Sequence, residues 1–341
     1  MSDSAAGAVV AGSGLHRSVV SDSCWARLDV RRRLQLVLAA VWLWDGVLQY
    51  QSFMFTPAFG RQVLAPTAQG NPAVIADPIT WAAGIIERHP GSTNAAFATI
   101  QLLLGLGIAW RPTVKAALAG SILWALAVWW LGEGLGGVLA GSANSLSGAP
   151  GAVILYALLA VLLWPTHTNA DTAAELSSPS SSWFVAARPV GATTARLLWL
   201  VLWGSLAFFA VQPVNRAPQA LHDMIVQMIP GQPGWLAAIE KTAAGLLAGR
   251  GGTVSIVFAV VLAVIALGVF LPAPAVRVVL VLAVVVAAVI WVIGEGLGDP
   301  FGGQATDPNS GPLLALLAAA YWPIRALRPA PDTTPAVVAL S

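Results

Sequence analysis

Charge is what this sequence has least of: Lys, Arg, Asp and Glu together make up 9% of 341 residues, against about a quarter in an ordinary soluble domain. A net charge of +2 spread so thinly builds no phosphate-binding face, which excludes nucleic acid as a partner. Cysteine is nearly absent. With Cys24 alone, an intramolecular disulfide, a CxxC redox pair and a cysteine-ligated cluster or zinc site are all excluded. Histidine is scarce too, and His16, His89, His167 and His222 all fall outside the apolar runs, so no span offers an axial ligand to a b-type haem. A phosphate-binding glycine loop, a nucleophile elbow and an HExxH pair are missing. No catalytic constellation and no cofactor can be read from the residues.

What fills the chain instead is apolar: 57% of residues are hydrophobic. The apolar runs fall at about Leu34–Tyr50, Asn94–Trp110, Val114–Leu131 and Ala149–Trp164, then at Leu197–Val211, Thr253–Leu271, Ala275–Ile293 and Pro312–Ile324. Each suits a hydrocarbon core ~30 Å thick, and none has the ~10-residue alternation of a membrane strand. The expected fold class is therefore an all-α integral membrane protein with eight transmembrane helices. Because no small-residue cleavage site follows the first run, that run reads as a retained span and not a signal peptide.

The eight runs are two sets of four. Trp129-Trp-Leu-Gly-Glu-Gly-Leu-Gly136 returns as Trp291-Val-Ile-Gly-Glu-Gly-Leu-Gly298, an offset of 162 residues (295 minus 133). Pro112 and Pro274, Lys115 and Arg277, Leu118 and Leu280, and Pro150 and Pro312 keep the same register. This predicts two parallel four-helix repeats, 30–165 and 195–325, with a polar cytoplasmic linker at 166–194 and disordered cytoplasmic tails at 1–29 and 326–341. An even number of spans per copy gives both copies one orientation, related by a pseudo-twofold axis along the membrane normal.

Basic residues cluster at alternate span ends: Arg31–Arg33, Arg111 and Lys115, Arg188 and Arg196, Arg277, and Arg325 with Arg328. Positive charge marks the cytoplasmic side, so both termini are expected there, in the cytoplasmic (inner) membrane of a cell. High Ala, Gly and Val content points to a bacterial source. The opposite side carries the long connections 51–93 and 212–252, in which Trp81–Glu87 and Trp235–Glu240 read as short interfacial helices.

Ionisable residues in such a chain are the candidate sites. Glu133 and Glu295 each follow a basic residue by 18 positions (133 minus 115, 295 minus 277), about 27 Å of helix. An acid at a helix C-terminus opposes the dipole. Two readings stand: a buried carboxylate between the copies that takes a proton, cation or polar headgroup, or an interfacial Glu paired with a loop Arg or with backbone N–H groups of the Gly-rich turn. Asp45 lies 12 residues after Arg33 (45 minus 33), ~18 Å into its helix. With Gln49, Gln51 and mid-span Gln101 it could line a cavity, one that belongs to the first copy alone because Gly204–Phe209 offers no acid. His222, Met224 and Met228 have ligand types suited to copper, although Met on an amphipathic helix usually packs. Asp299, Asp307 and Asn309 read as turn residues.

A four-helix unit with a long outer loop after its first span and a Gly-rich end to its third resembles the DoxX/DoxD-like group of bacterial membrane proteins, which includes MauE-type maturation proteins. The resemblance covers residues 30–165 and 195–325. It implies a redox-associated or quinone-linked accessory subunit with a membrane or soluble redox partner. The residues themselves suggest an alternative, a small-solute or ion transporter using acids near the repeat interface.

Overall fold

The structure, a computed structural model, describes residues 29–166 and 184–324. Cys24, His16, His167, the expected tails and the centre of the expected linker lie outside the described residues. Within them every element is helical. The longer helices are α1 (Val30–Leu48), α2 (Ala73–Arg88), α3 (Pro90–Ala109), α4 (Val114–Leu131), α5 (Ala152–Leu162), α6 (Ala192–Ala210), α7 (Ala220–Met228), α8 (Gly234–Leu247), α9 (Gly251–Gly268), α10 (Ala273–Val289) and α11 (Ser310–Ala320).

Five stretches are long and apolar enough to cross a membrane: Pro90–Ala109, Arg111–Leu131, Ala192–Ala210, Gly251–Gly268 and Ala273–Gly294. They display large apolar side chains outward, among them Leu103, Leu123, Val201, Val260 and Val278. In water such a surface would be an aggregation liability; against acyl chains it needs no partner, which fits a multi-pass protein in a lipid bilayer. The other three expected spans are built differently. Helix α1 has 19 residues but carries Arg31–Arg33 and Asp45. Helices α5 and α11 have 11 residues each, ~16 Å at ~1.5 Å per residue, half of a ~30 Å core.

These two short helices are the centre of the molecule. Nearly every residue of α5 and α11 is buried, as a helix apolar on all sides must be. They pack on each other, α5 also on α4 and α11 on α10. The outer helices pair around them, α1 with α3 and α6 with α9. Trp42 Nε1 of α1 donates to Ser121 Oγ of α4 at 3.0 Å, and Trp199 Nε1 of α6 donates to Ile265 O of α9 at 2.9 Å. One apolar core runs through both halves.

At one end, Arg32 donates to Ile108 O (2.8 Å) and Ala109 O, capping the C-terminus of α3, while Arg31 reaches Trp164 O at 3.4 Å and Arg188 pairs with Asp29 at 3.3 Å. The other end carries the long connections. Trp81–Glu87 and Trp235–Glu240 lie within the longer helices α2 and α8, and α2 shields Met54, Phe59 and Leu64 in a separate apolar cluster.

The segments before α5 and α11 cross over. Residues 142–149 leave the first half and seat in the second: Asn215 Nδ2 donates to Ala143 O at 2.8 Å, Ser145 Oγ donates to Leu206 O, and a Cβ on Gly294 would lie 1.7 Å from Leu146 O. Residues 299–309 make the opposite journey: Gln51 Nε2 donates to Ala305 O at 2.9 Å, and Thr306 and Asp307 reach the α1–α3–α4 side. Each half closes the other.

Candidate functional site

The buried stripe of α1 runs through Leu34, Leu38, Trp42, Asp45 and Gln49, spaced by three or four so that all lie on one face. Its character changes along the helix, apolar toward the arginine-bearing end and polar toward the loop end. There Asp45 is 1% and Gln49 3% exposed. Tyr156 of α5 meets this stripe, donating from its hydroxyl to Asp45 Oδ2 at 2.6 Å, with its ring 4.3 Å from that of Trp42. Helix α3 contributes Gln101 and Phe97, and Trp124 of α4 stands 5.5 Å from Phe97.

These groups enclose a cavity of about 130 Å³. Its polar wall comprises Asp45, Gln49, Gln101 and Glu133, completed by Asp307 from the second half. Its apolar wall sets four aromatic side chains, Trp42, Phe59, Phe97 and Trp124, among valines and a leucine. Four of the predicted residues therefore converge on one site. Asp307 sits in the turn the sequence suggests, Oδ1 accepting from Asn309 N at 2.7 Å and Oδ2 from the Thr306 hydroxyl at 2.8 Å. That turn is carried into the cavity of the other half, a placement invisible in its local vocabulary.

Glu133 does more than line the cavity. The chain breaks after α4 at Gly132, turns through Gly134 and Leu135 with φ of 55° and 57°, and brings Glu133 Oε1 to Val153 N of α5 at 3.1 Å. Glu295 follows the same path. Gly296 and Leu297 have φ of 53° and 60°; Glu295 Oε1 accepts from Ser310 N at 3.1 Å and from the Ser310 hydroxyl, and Oε2 accepts from Gly311 N at 3.1 Å. Each carboxylate that opposes the dipole of its own helix caps the positive N-terminus of the next, where a negative charge is favoured by about 0.3–1 kcal/mol, more when buried. The partner is thus the next helix, and neither a loop Arg nor the Gly-rich turn. Trp129 Nε1 to Pro150 O (2.6 Å) and Trp291 Nε1 to Pro308 O (2.8 Å) clamp the same junctions.

Burial, followed by the charge of Asp307, pushes the Glu133 carboxyl up to about 8. Burial also raises Glu295 to about 7, opposed by the donors of Ser310 and Gly311. Asp307 is raised by burial, opposed by Thr306 and Asn309.

Glu295 does not join the acidic cavity. The corresponding space in the second half is about 240 Å³ and nearly apolar, walled by Leu221, Leu247, Val254, Phe258, Val261 and Val289. Its polar residues are spent internally: Ser255 Oγ donates to Asn215 O at 2.8 Å, and Asn215 Nδ2 also to Phe209 O at 2.8 Å.

His222 Nδ1 meets Asp223 Oδ1 at 2.9 Å on the outer side of α7, while Met224 packs against the core. Among the described residues no three His, Cys, Asp or Glu side chains gather as metal ligands would. Compared with family models, with curated proteins and with solved structures, the chain finds no match.

Proposed function

We propose that the chain is a membrane transporter for a small solute or ion, working through the acidic cavity at the interface of its halves. The observation that carries this reading is the set of buried, unpartnered acceptors, Asp45 Oδ1, Gln49 Oε1 and Gln101 Oε1, on residues that line one cavity together with Glu133. Buried polar atoms left without partners cost about 1–3 kcal/mol each, and inside a membrane protein they mark pathways for protons, ions or solutes. The redox-associated, quinone-linked role with a redox partner rests on the DoxX-like resemblance, and the cavity chemistry adds nothing to it.

In this reading the molecule sits in the inner membrane of a bacterium as two parallel four-helix units, α1, α3, α4 and α5 and then α6, α9, α10 and α11, with the arginine-bearing end and both termini in the cytoplasm. The offset of 162 residues (295 minus 133), the shared Gly-Leu turn and the two capping glutamates support the pairing. Full thickness at α5 and α11 is made up by the crossed segments before them, non-helical backbone of the kind tolerated at membrane depth when buried in protein.

Proteoliposomes with an enclosed pH dye test the function. The wild type should dissipate an imposed pH or cation gradient, and Asp45→Asn should lower the rate about tenfold or more. Equal rates in both, or in empty liposomes, would reject the reading. For orientation, cysteines placed at Gln69 and Ala248, both exposed, should label from outside intact cells and one at Thr193 should not, with Cys24 replaced beforehand; the reverse pattern would invert the topology.

A further inference from the structure

Buried acceptor oxygens without partners stand on the wall of the acidic cavity. We propose that it binds a small primary alkylammonium ion, an inference that rests on the transport reading above and narrows it. Asp45 Oδ1 is buried and without partner, and an ionised carboxylate can only accept. The amide oxygens of Gln49 and Gln101 are in the same condition. Lys, Arg and His are missing from the described residues of the wall. A guest that satisfies these oxygens brings N–H donors, and one that is cationic also compensates the Asp45 carboxylate; a primary ammonium brings one charge and three donors.

The rest of the wall separates this class from a metal ion. Hard cations take several oxygens at once, whereas Asp45, Glu133 and Asp307, although all on this wall, do not come close enough together to hold a metal ion, nor does any other such trio among the described residues. Instead the rings of Trp42 and Tyr156, 4.3 Å apart, and of Phe97 and Trp124, 5.5 Å apart, face the same space. Aromatic faces attract a cation within ~6 Å and give a short alkyl chain an apolar contact that a hydrated ion cannot use. A volume of about 130 Å³ is close to the ~150 Å³ that holds benzene. That limits the guest to about six heavy atoms. The Tyr156 hydroxyl fixes one oxygen of Asp45, leaving the other for the guest.

Calorimetric titration of the full chain in mild detergent with n-butylammonium tests this, with tetramethylammonium, sodium and butanol as comparison probes. We expect saturable binding of butylammonium with a Kd below ~1 mM, and at least about tenfold weaker binding of the probes that lack either the charge or the N–H donors. Asp45→Asn should weaken butylammonium about tenfold or more. Phe97→Leu, which leaves every charge in place, should weaken it about threefold or more, and the melting temperature of each variant reports whether it folds. No saturable binding, equal binding of tetramethylammonium, or undiminished binding by a folded Asp45→Asn would overturn the assignment. The liposome assay separates the two claims: gradient dissipation without amine binding removes the ligand class and keeps the transport reading, whereas amine binding in a protein that dissipates nothing keeps the ligand class and removes transport.

Discussion

In the first half, Glu133 caps α5 with one oxygen and leaves the other unpartnered beside a cavity that holds two further acids, Asp45 and Asp307. In the second half, Glu295 gives both oxygens to the first turn of α11, and the neighbouring cavity is lined by Val, Leu and Phe. The backbone turn that delivers the two carboxylates is the same, with Leu135 and Leu297 in the left-handed region at φ 57° and 60°, where a branched side chain is uncommon. The difference teaches that the capping role explains why a glutamate stands in both halves, and that it does not explain the cavity. Satisfaction marks the structural half; its absence marks the half available for something else.

The widest separation should come from removing the caps. Glu295→Leu strands Ser310 N, the Ser310 hydroxyl and Gly311 N in a buried site, at about 1–3 kcal/mol for each donor. Glu133→Leu strands Val153 N and costs about 1–3 kcal/mol. Denaturation in mild detergent should rank Glu295→Leu as the more damaging by a clear margin, and equal losses would dissolve the distinction drawn above.

The second effect is a slope. Because the folded Glu133 carboxyl is raised to about 8 from 4.5, the folded state holds a proton that the unfolded chain releases. Its contribution is complete below pH ~4.5 and is lost as pH rises to about 8, on the order of a few kcal/mol. Glu133→Gln should flatten the fall in melting temperature across that window. If wild type and variant keep parallel profiles, the carboxyl is not titrating there.

The smallest effect on stability should come from the most conspicuous acid. Asp45→Asn keeps an oxygen to accept from Tyr156 and relieves a buried charge, so its stability should stay within ~1 kcal/mol of wild type or rise. Glu295→Gln, which loses a charge-assisted cap, should fall by about 1–2 kcal/mol. A large loss at Asp45 would make it a structural group and pull the two halves back together.

Much of this comparison is legible along the chain because it lies in short-range patterns. The Gly-Glu-Gly-Leu-Gly signature marks both capping junctions, and the spacing of Trp42, Asp45 and Gln49 puts them on one face. What could not be read is whatever depends on a partner far away in sequence. Glu133 finds α5 twenty residues on, Tyr156 meets Asp45 from 111 positions away, and Asp307 reaches the first-half cavity from the second half. Local composition writes Asp307 as a turn residue, which it is; nothing local says where the turn is threaded. The short α5 and α11 were hidden similarly, because an apolar run reads the same whether it is wound into a full span or divided between an extended segment and half a helix.

The crossed segments carry a consequence for how such a chain is assembled. As the first half leaves the ribosome, its residues 142–149 have no seat, since their partners Leu206, Asn215 and Gly294 are still to be made. The acidic cavity likewise stays open until residue 307 arrives to close it. Neither half is a finished product on its own, and severing the chain at the junction would yield two fragments that mature only in each other's company. Co-expressed as separate polypeptides, they would behave as obligate complements.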